Sequence, residues 1–454
     1  MHSFTRRGTP SFLIKVLITF SLVISLSGCA VVSQAVQAVG SRFTSLSNRY
    51  LQEGDRLAGE QRQPEALLAY RQAVDADPDN IPAVEKLAMA YQAEGRRRLA
   101  LGYLQDALKL RPDNPDLPGL IAKFQTPAPV NPPLRLIWSI QANRDVPVGY
   151  CIWQGKLFIT YEKGLVAALD ATSGKMLWQI TLSSPATSPP GAANGGPVFV
   201  GSQNGSLYAL SLSTGKILWS FSTNGPIYAS PAVTTSQVFL PSSDGSLYAL
   251  SLSDGKLQWR YQTGGALRAA PLISGNTIYF GSADARLYAV DLSKGTPHWQ
   301  RGILTQGAVE SQPTLNDDRV VFGSGDASVY SLAANSGGQY WRYATPDSVY
   351  ATPIIAAGKI YVASSGQILA ALDELTGKPA WENSTPVAIT TTPALTANAI
   401  YYVGPDNPYL FAVDRQSGKD LWKLDTGDWI SAGPLYSNGI LYILGKDGTL
   451  LAYH

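Results

Sequence analysis

Few side chains in this 454-residue chain could do covalent or metal chemistry. It holds three histidines, His2, His298 and His454, and two cysteines, Cys29 and Cys151. A transition-metal site needs three or four Cys, His or carboxylate ligands brought together, and a hydrolytic triad needs a base beside its nucleophile. No Ser/His/Asp or His/Cys constellation of that kind can be assembled here. His298 adjoins Trp299, where a structural role is expected. Of the 35 basic residues, Arg6, Arg7 and Lys15 lie in an apparent leader, which leaves near balance with the 33 acidic ones. That balance gives no electrostatic case for binding nucleic acid. The expectation is a chain with no catalytic residues, no cofactor and no metal.

Cys29 is the exception. Arg6, Arg7 and Lys15 make a positive stretch, Val16–Ser25 a short apolar one, and Leu26-Ser27-Gly28-Cys29 closes it. This is the layout of an export signal, too short to span a bilayer. The four closing residues resemble the bacterial lipobox, which implies cleavage before Cys29 and acylation of its thiol. More than one acyl chain gives stable anchoring, at about 0.8 kcal/mol per buried methylene. Ala30 follows where an Asp would favour inner-membrane retention, so the resemblance implies the outer membrane, facing the periplasm. Cys151 is then a lone thiol with a buried, structural role.

The elements that carry the rest follow from two internal periods. Ala66, Tyr70, Ala73 and Pro78 are answered 34 residues later by Ala100, Leu104, Ala107 and Pro112. Gly95 falls at the turn of the second copy, and Gln61 holds that place in the first. The period resembles tetratricopeptide repeats, in which small Ala lets antiparallel helices approach closely. We expect a signal peptide over 1–28, a tether over 29–48, and two repeats with a capping helix over 49–124. The module serves either as a docking groove or as a spacer. Four prolines in "TPAPVNPP" (126–133) make 125–133 a stiff linker.

The second period is about 40 residues and fills 134–454. Trp138, Trp178, Trp219, Trp259, Trp299, Trp341, Trp381 and Trp422 recur at intervals of 40 to 42 residues. Four residues before all but the first stand Gly174, Gly215, Gly255, Gly295, Gly337, Gly377 and Gly418. Period-two alternation, as in "TIYFGSADARLYAVDLSKG", predicts four short strands per unit. Radial repetition of such units is a β-propeller. The fold expected is mainly β: an eight-bladed propeller with Trp-docking motifs, preceded by the small all-α module. The last copy stops before its Gly and Trp, and "LRLIWSIQ" (134–141) supplies its missing strand, so both ends share one blade. Truncating a docking Trp should cost about 3–5 kcal/mol.

Ala-x-Asp-x-x-Thr/Ser-Gly-Lys-x-x-Trp, as in Ala168–Trp178 and Ala371–Trp381, resembles the quinoprotein (PQQ-type) propeller repeat. One branch of that family, the quinoprotein dehydrogenases, holds PQQ and Ca²⁺ on the axis beneath adjacent cysteines, which this chain does not have. The other branch, the non-catalytic BamB-type lipoproteins of outer-membrane assembly, is similar in lipobox, blade count and short loops. That resemblance implies an interaction scaffold, a monomer within a hetero-complex, bound to the periplasmic part of a β-barrel assembly subunit and to the membrane through its lipid. An unrelated envelope scaffold or sensor is the further alternative. A series of prolines (231, 271, 313, 353, 393 and 434) keeps step with the repeats, and three residues before it stand Tyr228, Arg268, Glu310 and Tyr350. With Leu267 these are the expected partner-binding residues at one mouth of the channel; a solvated Arg268–Glu310 pair is the bland reading. Trp153 and Trp429 lie outside the docking series, where core filling is the default.

Overall fold

The computed structural model describes residues 29–125, 134–192 and 196–454, with side chains from residue 44. The expected signal peptide lies outside the described residues, as does the Cys29 thiol. The chain divides between Pro127 and Ala128 into two compact units.

Among the described residues the first unit has five helices: α1 (Cys29–Gly59), α2 (Gln63–Ala76), α3 (Ile81–Ala93), α4 (Arg97–Leu110) and α5 (Asp116–Gln125). Gln61 and Gly95 both have positive φ, at 60° and 76°, so the same left-handed turn joins each helix pair. Ala66, Ala73, Ala100 and Ala107 are buried, and Leu87 and Leu104 fill the space between helices. A Cβ on Gly54 would lie 2.5 Å from the Tyr70 ring, so helix α1 needs glycine at that crossing. The expected tether is not separate from the repeats. Helix α1 runs unbroken across residue 48: it holds no proline, and its second half packs on the helix that follows. Ser47 Oγ donates to Ala73 O at 2.7 Å, and Asn80 donates to Ser47 Oγ at 2.8 Å.

The second unit is a ring of eight four-stranded antiparallel sheets. We number the blades by their innermost strands: one (Pro147–Trp153), two (Gly191–Ala192), three (Ala232–Val233), four (Leu272–Ser274), five (Thr314–Asn316), six (Ile354–Ala356), seven (Ala394–Leu395) and eight (Leu435–Ser437). In blade eight the outer strand Leu136–Gln141 pairs with Thr449–Tyr453, which closes the ring. Arg135 N–H donates to His454 O at 2.8 Å and His454 N–H returns to Arg135 O at 2.9 Å. Tyr150 O–H donates to Tyr442 O, and Tyr442 O–H to Ala171 O, which ties blade eight to blade one.

The repeated Trp and Gly meet between neighbouring blades. The seven turn glycines have φ between +68° and +72°. A Cβ on Gly174, Gly215, Gly255, Gly295, Gly377 or Gly418 would fall within 3 Å of the indole of the preceding blade. Each of those turns also offers a carbonyl to the indole N–H, as Thr172 does for Trp138 at 2.7 Å and Glu374 for Trp341 at 3.0 Å. Blade four departs from the pattern. Thr296-Pro297 follows its turn, and proline cannot donate to the ladder. Its outer strand shrinks to Ile303–Leu304. Ile303 then takes the nearest place over Gly337, and the buried Trp299 Nε1 is left without a partner. Trp422 faces the turnless blade eight and packs on Tyr401, ring centroids 5.6 Å apart.

Candidate functional site

Each blade is entered by a loop that runs from the outer strand of one blade to the innermost strand of the next. A repeated set of small polar groups makes these loops stiff. Thr223, Thr263, Thr305, Thr345, Thr385 and Thr426 each donate through Oγ1 to the carbonyl two residues on, at 2.6–3.0 Å. Further along, the N–H groups of Ile227, Leu267, Val309, Val349 and Ile389 donate to the backbone carbonyls of the buried serines 202, 242, 282, 324 and 364 at 3.0–3.2 Å. In blades three, four and five an aspartate adds a clasp. Asp244, Asp284 and Asp326 accept a loop N–H at 2.8–3.0 Å and a Tyr O–H at 2.6–2.7 Å. Burial pulls the Asp244 carboxyl upward, but hydrogen bonds from Tyr248, Ser246 and Asn224 hold it below the ordinary range.

Leu267 does not belong to the exposed surface. It is 0% exposed and packs with Phe239, Phe280 and Tyr288; Ile227, Val309, Val349, Ile389 and Ile430, at the same position of their own loops, are buried between their own blades. An apolar side chain here plugs the space between blades, which corrects its assignment to partner binding. The next residue along points outward. Tyr228, Arg268, Glu310 and Tyr350 thus stand on consecutive loops entering blades three to six. The tyrosines are 44% and 41% exposed. Arg268 Nη1 lies 3.1 Å from Glu310 Oε1, with the two side chains 54% and 20% exposed. Tyr and Arg are the residue types that most often carry interface energy.

Sequence reasoning passed over the Thr anchors, although the Thr recurs in the loops entering blades three to eight, each time eight residues before the proline. Trp153 packs between blades one and two with its Nε1 buried. Trp429 lies under the Lys446 ammonium, 5.3 Å from the ring centroid. Cys151 is half-buried, and desolvation pushes its thiol up to about 12, which suits a structural residue of low reactivity. His298 Nδ1 sits 3.0 Å from Thr277 Oγ1.

Near the axis, blades six, seven, eight and one border an open pocket of about 550 Å³. Tyr150, Thr391, Ser431, Leu435 and Tyr436 are among the residues around it, and no charged side chain lines it. Calcium takes six to eight oxygens, usually including carboxylates, and a tricarboxylate quinone calls for cations. This lining fits neither. Among the described residues no three His, Cys, Asp or Glu side chains could together hold a metal ion, and no helix is long and apolar enough to cross a membrane.

No protein of curated function matches the sequence. Among solved structures, BamB from Moraxella catarrhalis is similar at a TM-score of 0.63 and 21% identity, over 71% of this chain and 97% of that one. The computationally designed Ika8 protein follows at 0.62 and 16%, over 70% and 98%. The quinohemoprotein alcohol dehydrogenase from Comamonas testosteroni reaches 0.58 and 15%, over 70% of this chain and 76% of its own. At these identities the likeness speaks for the propeller fold alone. The family model described as outer membrane protein assembly factor BamB matches residues 162–313, 304–399 and 386–454, well over half of the sequence. With its repeats, its ring and its closing blade thus accounted for, the chain belongs to the BamB family.

Proposed function

We propose that this protein is a non-catalytic lipoprotein scaffold of the cell envelope that acts, as BamB does, in assembling β-barrel proteins into the outer membrane. The family match across 162–454 is the observation that carries the reading. Acylated at Cys29, the chain is held at the periplasmic side of the outer membrane. The loops entering blades three to six present Tyr228, Arg268, Glu310 and Tyr350 to a membrane-protein partner, the barrel assembly subunit. Stiff loops suit that task, since little side-chain or backbone freedom is lost on association.

The test is capture from cells. The full chain, tagged at its C-terminus, is cross-linked, solubilised and its partners identified by mass spectrometry. Recovery of the barrel assembly subunit, lost when Arg268→Glu and Glu310→Arg are combined, is the expected result. Unchanged recovery from that variant would remove the site. Recovery of other proteins alone would remove the assembly role.

A second reading, a PQQ-dependent oxidoreductase, draws on the likeness to quinohemoprotein alcohol dehydrogenases. The uncharged lining of the pocket beside blades six, seven, eight and one weighs against it. A visible absorption scan with added PQQ and Ca²⁺ separates the two, because the scaffold reading predicts no bound chromophore.

A further inference from the structure

The outer strands of four neighbouring blades begin with the same chemistry. Arg135-Leu136-Ile137 opens the one in blade eight and Lys175-Met176-Leu177 the one in blade one. Lys216-Ile217-Leu218 and Lys256-Leu257 repeat the theme in blades two and three. The other four blades break it, with Thr296-Pro297, Gly338-Gln339, Lys378-Pro379 and Lys419-Asp420. Uninterrupted basic–apolar starts are therefore confined to one half of the ring; on the other half the exposed Tyr340 has no cation beside it in sequence, and Asp420 separates Lys419 from the exposed Leu421. Within their half the starts are contiguous, because Trp138 stacks on Gly174, Trp178 on Gly215 and Trp219 on Gly255.

These apolar side chains face solvent. Leu136, Ile137, Leu177, Ile217, Leu218 and Leu257 are 43–57% exposed. Further along the same strands the exposed positions turn polar, at Ser139, Gln179, Ser220 and Arg260. The apolar edge is thus limited to one end of the ring, beside the cations. Arg135, Lys156, Lys175, Lys216 and Lys256 lie at that end of these blades, against two carboxylates, Asp170 and Asp254. The Asp170 carboxylate is occupied by the Ser173 hydroxyl and turn N–H groups. Asp254 pairs with Lys256 at 2.8 Å. Among the described residues, Lys175 and Lys216 have no carboxylate within ion-pair distance.

We infer that this half-ring edge docks on an anionic lipid surface. Cations beside exposed aliphatic residues, repeated along one edge, match a headgroup layer over an acyl boundary: lysine and arginine meet phosphates while Leu and Ile enter the apolar margin. A protein partner is the poorer fit. Protein interfaces are depleted in Lys and enriched in aromatics, and this edge has no exposed aromatic. The inference is independent of the partner loops entering blades three to six.

The chain from residue 29 onward, carrying Cys29→Ala so that no acyl anchor forms, is sedimented with vesicles of phosphatidylglycerol and phosphatidylcholine or of phosphatidylcholine alone. Binding to the anionic vesicles only, weakening as salt rises, is expected. Lys175→Glu, Lys216→Glu and Lys256→Glu together should weaken it about tenfold or more, since each cation adds to the attraction near the surface. Ile217→Ser with Leu218→Ser should weaken it as well. Lys378→Glu with Lys419→Glu, on the opposite half, should leave it within about twofold. All positions are exposed, so melting temperatures serve as the folding control. Failure of the parent chain to sediment with anionic vesicles, or equal losses from the two sets of lysines, overturns the inference.

Discussion

Gly255→Ala tests whether the indole contact between blades stabilises the ring, or whether the turn geometry alone does. Gly255 has φ +70°, and its Cβ would lie 2.4 Å from Trp219 Cε3. Holding alanine in the left-handed region costs about 1 kcal/mol. Forcing a methyl into a packed contact costs about 1–3 kcal/mol more. The variant should therefore lose about 2–4 kcal/mol. Gly358 supplies the control: its φ is +71° but nothing lies within 4 Å of its Cβ, so Gly358→Ala carries the backbone cost alone. At roughly 2 °C per kcal/mol for a unit of this size, the propeller transition should fall by about 4–8 °C in the first and about 2 °C in the second. In a Trp219→Ala background the overlap is gone, and Gly255→Ala should cost no more than Gly358→Ala does. The assay is thermal unfolding followed by far-ultraviolet circular dichroism. Equal shifts for the two glycine variants would refute the claim that the indole sets the spacing between blades.

Three further outcomes are expected. The turn aspartates 170, 291, 373 and 414 are held low by Ser173, Ser293, Thr376 and Ser417, with Asp291 down to about 2. Their contribution is present above the unfolded carboxylate value of about 3.9 and fades as pH falls through the folded values, so propeller melting should be flat from about pH 5 to 8 and drop below about 4. Because desolvation raises the pKa of the half-buried Cys151 thiol, a disulfide reagent at pH 8 should label the native protein at least about tenfold more slowly than the unfolded one. Native labelling as fast as in urea would contradict that desolvation. Removal of residues 449–454 deletes the strand that pairs with Leu136–Gln141, and limited proteolysis should then cut within 134–141 while the parent resists.

Much of this architecture could be read from spacing, because a blade is a local unit. The Trp and Gly positions, the blade count and the shared last blade all follow from one motif repeated at about 40 residues. The errors arise where a residue's environment is set by a neighbour in space. Leu267 looks like part of the Arg268 surface until its counterparts Ile227, Val309, Val349 and Ile389 are aligned and all prove buried. Pro297 was visible, but its effect on the outer strand of blade four depended on Ile303 replacing an indole across the blade boundary. The pocket near the axis was beyond reach for the same reason. It joins Tyr150 to Gly433, residues 283 apart, and no periodic pattern encodes the space between them. Helix α1 passed unrecognised as one element because the 34-residue period describes only its second half.

The shared last blade also sets an order of assembly. Its outer strand, Leu136–Gln141, precedes every other strand of the ring in the sequence, and the strand it pairs with, Thr449–Tyr453, follows all the others. Seven blades can pair internally from residues close together in the chain, whereas this one pairing must close a loop that spans the whole ring, the entropically most costly closure in it. Until it forms, the ring is an open arc with two unpaired edges available to proteases and chaperones.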